Sequence, residues 1–319
     1  MLERFGSRQS MLTLVVLAGA LLLTGCAENS ATFMSPQGAI AAAQKAHLIR
    51  VTAITMIAVF PVLILVPWML WRYRYKNPKA RYAPDWDFSG PLDLVMWGVP
   101  LIIIVVLSFQ LWSATKTLDP YRPIDPTEGE MRVHVIGLDW KWLFVYPDLG
   151  IATVGEVAFP ANEPVVFEMT SDSVMQSFAI GALAGQIYVM PGMTTALHVE
   201  ADQTGTFVGK NMQFSGKGFA EQKFNAKAMS PVDFDAWVAQ VRHEGRTLDA
   251  ASYAVLAEPS TKEQAQKALD VPQRPGGVIY FNAIPADLLS NVRGRYTSGK
   301  PVDAMQQPGS PTYQTRGTP

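Results

Sequence analysis

The chain has 319 residues, a formal net charge of -1, 49% hydrophobic residues and only 17% charged residues. That balance leans toward a membrane protein, and near-neutrality without a basic run argues against a nucleic-acid partner. The lone cysteine, Cys26, excludes a disulfide framework within the chain and any metal site built on two thiolates.

Residues 1–25 predict a secretory signal, with Arg4 and Arg8 ahead of an apolar Met11–Leu23 stretch too short to span comfortably. Leu23-Thr24-Gly25-Cys26 resembles the cleavage box of bacterial lipoproteins. Small residues admit the peptidase to the backbone, and the Cys26 thiol receives the lipid. Each buried methylene of such an anchor contributes about 0.8 kcal/mol. The plainer alternative is a chance cysteine after an ordinary signal.

Residues 26–46 read as a small, polar, exposed lead-in, with Ser35-Pro36 as a helix start. A first spanning helix is predicted over 47–75, around the apolar run Val51–Trp71, and a second over 91–115, around Leu92–Trp112. Each run is about 20 residues, the length that crosses a hydrocarbon core of about 30 Å. Pro61 and Pro67 predict a kink in the first. The loop at 76–90 and its flank carry Arg72, Arg74, Lys76, Lys79 and Arg81. Such a cluster marks the cytoplasmic side, which puts both outer ends of the hairpin, Cys26 included, in the periplasm. Asp93, at the start of the second span, is an ionisable group at a membrane edge. It is either a functional residue or a helix-start acid favoured by the dipole.

From 125 to 230 the pattern turns to short strands: MRVHVIGLDWKWLFVYP, then EVAFPANEPVVFEMTS folded about Pro160-Ala161-Asn162-Glu163-Pro164, then further runs to Ser230. Their spacing predicts a sandwich or barrel. Residues 231–297 predict a helical extension, opened by a Ser230-Pro231 cap and continued over Leu248–Leu256 and Thr261–Leu269. Residues 298–319 have the composition of a disordered tail. His47, His134, His198 and His243 are scattered without ligand spacing and read as packing or surface residues. Met190 and Met193 flank Pro191-Gly192; a turn with packing methionines is the first expectation and a thioether site the second. No nucleophile–base pair is evident.

Two stretches carry a resemblance. Ser171–Phe178 reads SDSVMQSF, and Asn211–Ala226 reads NMQFSGKGFAEQKFNA. They resemble the ligand loops of the cupredoxin domain of subunit II of the haem-copper respiratory oxidases. There, an S-x-D-V-x-H-S-W-like loop and a C-S-E-x-C-G-x-x-H-x-x-M loop hold dinuclear copper. Every ligand position differs here: Gln176 and Gln222 stand for the two His, Phe214 and Gly218 for the two Cys, and Asn225 for the Met, while Ser215 is kept. Copper centres of this kind need thiolate sulfur, so the resemblance implies a cupredoxin without copper. Gly137-Leu-Asp-Trp-Lys-Trp142 is similar to the family's G-x-Q-W-Y-W strand, with Trp140 and Trp142 packing toward subunit I. The L-D-L-V-M-W-G-V-P run at Asp93 is similar to the Glu-x-x-x-Trp helix start at a proton-channel mouth.

The resemblance implies a fold: a two-helix transmembrane hairpin, a periplasmic cupredoxin-like Greek-key β-barrel and a small C-terminal helical extension. It also implies a role, as subunit II of a bo-type quinol oxidase that oxidises ubiquinol, reduces oxygen to water and pumps protons. This chain would then have no catalytic centre and no cofactor. Haems and copper would reside in subunit I, with subunits III and IV as further partners, in a bacterial inner membrane. A copper-bearing cytochrome c oxidase subunit and a free periplasmic lipoprotein that binds or assembles other proteins are the rivals.

Overall fold

The computed structural model describes residues 33–297, except 76, 79, 81–83 and 125–128. The signal, the Cys26 anchor, Lys76, Lys79, Arg81 and the tail from 298 therefore lie outside the described residues. Two long helices come first, α1 (Ala39–Arg72) and α2 (Gly90–Thr117), and both are long and apolar enough to cross a membrane. Helix α1 runs on through Pro61 and Pro67. Its 34 residues rise about 51 Å, well beyond a hydrocarbon core of about 30 Å, so one end must project. The projecting end is the N-terminal one. Gln37 N donates to Ala182 O (2.7 Å), Ala41 N to Leu183 O (3.2 Å) and Asp202 N to Gln37 O (2.9 Å).

The exposed lead-in expected over 26–46 is thus corrected. Its described part is seated on the β domain, and Ala41 is fully buried. The helix begins at Ala39, capped by Gly38, and not at Ser35-Pro36. Gly38 is required there, because a Cβ would come within 2.3 Å of Glu200 O. Composition hides this contact because it is made through backbone groups.

The β domain is a two-sheet sandwich. Among the described residues, one sheet has seven strands in the order β11-β12-β3-β2-β1-β5-β8, with β8 at Thr195–Val199, and the other five in the order β4-β10-β9-β6-β7, with β7 at Gln186–Val189. Strand β1 (Met131–Leu138) pairs with β2 (Lys141–Tyr146) antiparallel and with β5 (Val165–Ser171) parallel. In the second sheet β10 (Lys223–Met229) pairs with β4 (Glu156–Pro160) parallel and with β9 (Gly205–Asn211) antiparallel. These crossed-over parallel pairs are the Greek-key character that was expected. Trp142, Phe144, Phe178 and Phe224 fill the space between the sheets, with Phe178 and Phe224 stacked at 5.1 Å and Trp142 edge-on to Phe178 at 5.3 Å. Each such pair adds about 0.5–1.5 kcal/mol beyond area burial.

The seven-stranded sheet is buried on both faces. Val133, Val135, Trp142 and Phe144 face the second sheet, while Ile136, Leu138, Leu143 and Val145 face a second core beneath the C-terminal helices. That is why β1 and β2 read as nearly continuous apolar runs while β9 and β10, with one wet face, alternate. Helices α3 (Pro231–Glu244), α4 (Ala250–Ala257), α5 (Lys262–Ala268) and α6 (Leu288–Thr297) follow. Ser230 caps α3 and Thr261 forms a capping box with Gln264 on α5. The extension is not purely helical, as residues 231–297 were expected to be. Strand β12 (Ile279–Ala283) adds to the sheet beside β3 (Ile151–Val154), and the short β11 (Arg246–Thr247) pairs with it. Only an unpaired neighbouring edge, invisible in sequence, turns that apolar run into a strand.

Candidate functional site

The two loops singled out in the sequence meet at one end of the sandwich. Gln176 opens β6 (Gln176–Ile180), and Gln222 precedes β10 after a short turn at Phe219–Glu221. Both side chains are fully buried. Gln222 Nε2 donates to Gln176 Oε1 at 2.6 Å. Both Nε2 groups also donate to Leu138 O, at 3.1 Å from Gln176 and 3.2 Å from Gln222. Asn211 completes the cluster. Its Nδ2 donates to Gln222 Oε1 (2.9 Å) and Ser215 Oγ (3.0 Å), and its Oδ1 accepts from Ser177 N and Gln213 N, each at 2.9 Å.

The other three positions that the resemblance sets against copper ligands do not converge on this cluster. Phe214 is 73% exposed, and its ring lies tilted against Phe219 with centroids 5.8 Å apart. Gly218 lies flat under Trp140, where a Cβ would come within 2.3 Å of the indole ring. Asn225 is on the exposed face of β10. The donors present are neutral amides and hydroxyls already spent on one another, without thiolate or imidazole. They do not fit a copper ion.

Trp140 is not in a strand. It sits in the reversal between β1 and β2, which pair at Leu138 with Lys141, and its Nε1 donates to Ser215 O at 2.9 Å. Trp142 points into the sandwich core and is fully buried, so it has no outward face for a partner. Trp140 belongs to the turn and Trp142 to β2, so the two rings do not share one strand. His134 Nε2 lies 3.2 Å from Glu168 Oε2, and His198 Nδ1 lies 2.8 Å from Glu130 Oε2. Burial pulls the His134 pKa down against the opposing pull of Glu168. Met190 and Met193 bracket a turn, with Met193 N donating to Met190 O. Asp93 stands exposed in the first turn of α2.

Comparison with known proteins supplies the rest. No family model matches the chain. Cytochrome bo(3) ubiquinol oxidase subunit 2 of Pseudomonas putida is 45% identical over 242 residues, 76% of this chain and 76% of that one. The protein of the same name from Pseudomonas aeruginosa is 40% identical over 280 residues, 88% of this chain and 80% of the relative. Ubiquinol oxidase subunit 2 of Acetobacter aceti is 36% identical over 289 residues, covering 90% of this chain and 89% of the relative. The chain belongs to the ubiquinol oxidase subunit 2 family. Solved structures match more distantly. The periplasmic domain of cytochrome oxidase subunit II from Bradyrhizobium japonicum is 22% identical over 35% of this chain and 94% of that one, with a TM-score of 0.34. A chain of a heme-copper terminal oxidase dimer is 16% identical over 43% of this chain and 99% of that one, with a TM-score of 0.35.

Within this subunit 2 fold, sequence reasoning missed the burial of Lys141, Glu156 and Asp172. Lys141 is fully buried, and its Nζ donates to Asp139 O (2.6 Å), Glu258 O (2.9 Å) and Ser260 O (3.0 Å). Burial pushes its amine down to about 7, against the opposing pull of Asp139 and Glu258. Glu156 accepts from Trp237 Nε1 (2.9 Å), Tyr280 Oη (2.7 Å) and Lys227 Nζ (2.7 Å). Asp172, inside the first loop itself, accepts from Tyr253 Oη (2.6 Å), Tyr296 Oη (3.0 Å) and Arg295 Nη1 (3.0 Å). Burial raises its pKa, and Arg295 opposes the rise. The available signal was a charge inside an apolar strand run, as in Trp140-Lys141-Trp142 and Gly155-Glu156-Val157.

Proposed function

We propose that this chain is the non-catalytic second subunit of a proton-pumping quinol oxidase, in which electrons pass from ubiquinol to the haems and copper of subunit I and bypass the sandwich. The observation that carries it is the buried amide pair. Gln222 and Gln176 touch at 2.6 Å where a metal-bearing relative would place ligands, so the loop end has a packed polar core in place of an electron relay. A quinol donor arrives within the membrane and needs no water-facing relay. The exposed Val174, Met175, Met212 and Phe214 around these loops support a docking face for subunit I, since large apolar side chains gathered at one end of a domain favour burial against a partner.

The hairpin lies in the bacterial inner membrane with its sandwich in the periplasm, Cys26 carries the lipid, and Asp93 feeds a proton channel at the cytoplasmic edge. Subunits III and IV complete the assembly. Purification of the tagged chain in mild detergent is expected to bring down a haem-bearing partner with quinol-driven oxygen uptake. It should leave no copper on the chain itself when the subunits are separated. Recovery of the chain without haem would sink the proposal and favour a free lipoprotein, while copper on the separated chain would revive a cytochrome c-type relay.

A further inference from the structure

A polar groove runs up the outer end of the hairpin, away from the copper-type loops. A cavity of about 290 Å³ lies between α1 and α2, with His47, Arg50, Gln110 and Ser113 among its walls. A second, of about 380 Å³, continues it under the sandwich past Gln44, Asp119 and Arg122, and the two share Thr117 and Leu118. The depth of the lower cavity can be read from the helices. The apolar run of α1 begins at Val51, and Lys116 Nζ sits 4.5 Å above the Trp112 ring, an amphipathic pairing suited to the membrane boundary. His47 and Arg50 lie within about 6 Å of Val51 along the helix. Gln110 and Ser113 flank Trp112. This is the polar layer of a bilayer, about 5–7 Å thick on each side of the hydrocarbon.

The groove has unmet needs of two kinds. Gln44 Oε1 and Gln110 Oε1 are buried and accept no hydrogen bond among the described residues, which costs about 1–3 kcal/mol for each such group. Arg50 and Arg122 make no ion pair among the described residues, and Arg50 spends only its Nε, on Ala46 O. An occupant must therefore offer N–H or O–H donors to the amide oxygens and an anion to the guanidinium groups, at headgroup depth. We propose that this groove is a binding site for the headgroup of an aminophospholipid of the phosphatidylethanolamine class. Its ammonium supplies N–H donors to Gln110 Oε1 in the lower cavity, where its phosphate faces Arg50. Phosphatidylcholine offers no N–H and leaves that amide oxygen unpaired. A bound headgroup would pin the hairpin to the sandwich at the membrane surface.

The test uses the whole oxidase complex in nanodiscs of mixed phosphatidylethanolamine and phosphatidylcholine, released for native mass spectrometry, with the haem spectrum of each sample as the measure of assembly. The complex is expected to keep phosphatidylethanolamine over its N-trimethylated counterpart by several-fold. An Arg50→Gln/Gln110→Leu variant with unchanged haem is expected to keep at least one aminophospholipid fewer. Equal retention of the two lipids by the unaltered complex would overturn the site, and that comparison needs no variant to fold. Unchanged retention in the assembled variant would overturn it too, as when side chains of the catalytic subunit fill the groove. Absence of haem from the unaltered sample would instead point to failure of the functional proposal.

Discussion

At the scale of single residues, the loop end is held by neutral groups that satisfy one another. Gln222→Leu removes the donor to Gln176 Oε1 and the acceptor for Asn211 Nδ2, and leaves buried polar atoms unpaired. A loss of about 1–3 kcal/mol is expected, measured by chemical denaturation of the detergent-purified chain. The Gln176→Leu/Gln222→Leu double variant should cost less than the sum of the two single changes, because the orphaned partner goes with it. Strict additivity would mean that the amide pair contributes no coupling. Lys141 gives a pH signature. Its folded pKa, about 7, is lowered from 10.5, so between those values the unfolded chain holds a proton that the folded chain has released. Stability from this group therefore rises with pH across that window, by at most about 1.4 kcal/mol per unit. Comparing unfolding midpoints of the wild type and Lys141→Met at pH 7, 8 and 9 should show a gap that widens in favour of the wild type as pH rises. A constant gap would show that the three carbonyls keep the ammonium protonated.

At the scale of elements, Lys141, Glu156 and Asp172 each find partners on the C-terminal segment. Lys141 reaches the Glu258–Ser260 turn, Glu156 reaches Trp237 on α3 and Tyr280 on β12, and Asp172 reaches Tyr253 on α4 and Arg295 and Tyr296 on α6. The segment is part of the fold and not an appendage, since its removal would strip Asp172 of Tyr253, Tyr296 and Arg295 and leave Glu156 with Lys227 and Lys141 with Asp139 O. Tyr253→Phe deletes the 2.6 Å donor to fully buried Asp172 and is expected to cost about 1–3 kcal/mol. Protease should also gain access to the 172–175 loop, read by limited proteolysis; an intact loop at wild-type rates would show that α6 alone holds it.

At the scale of the whole molecule, a membrane hairpin carries a sandwich whose first helical turns are also its foundation. The proposed proton route makes one prediction here. Asp93→Asn should slow turnover of the assembled complex several-fold without loss of haem, measured as quinol-driven oxygen uptake. Unchanged turnover would leave Asp93 as a helix-start acid that favours the N-terminal end of α2 through the dipole alone.

Much of this architecture was legible in the chain. Twenty-residue apolar runs can only span or be buried, strand periodicity follows from the alternation of side chains, and caps such as Ser230-Pro231 act locally. The departures at Gln176, Phe214, Gly218, Gln222 and Asn225 were equally plain, because a thiolate that is absent cannot be supplied by folding. Sequence alone thus determined the hairpin, the strand-rich domain and the absence of any cysteine after Cys26. Tertiary structure decided which of those five positions meet. Gln176 and Gln222 are 46 residues apart and touch only because β6 and β10 share a sheet with β9 between them, whereas Phe214 and Asn225 point away. Seating of the lead-in on the sandwich, recruitment of β12 and burial of Lys141, Glu156 and Asp172 also rest on contacts between distant segments. Such contacts depend on neighbours that no local pattern encodes, and so they appear only once the chain is folded.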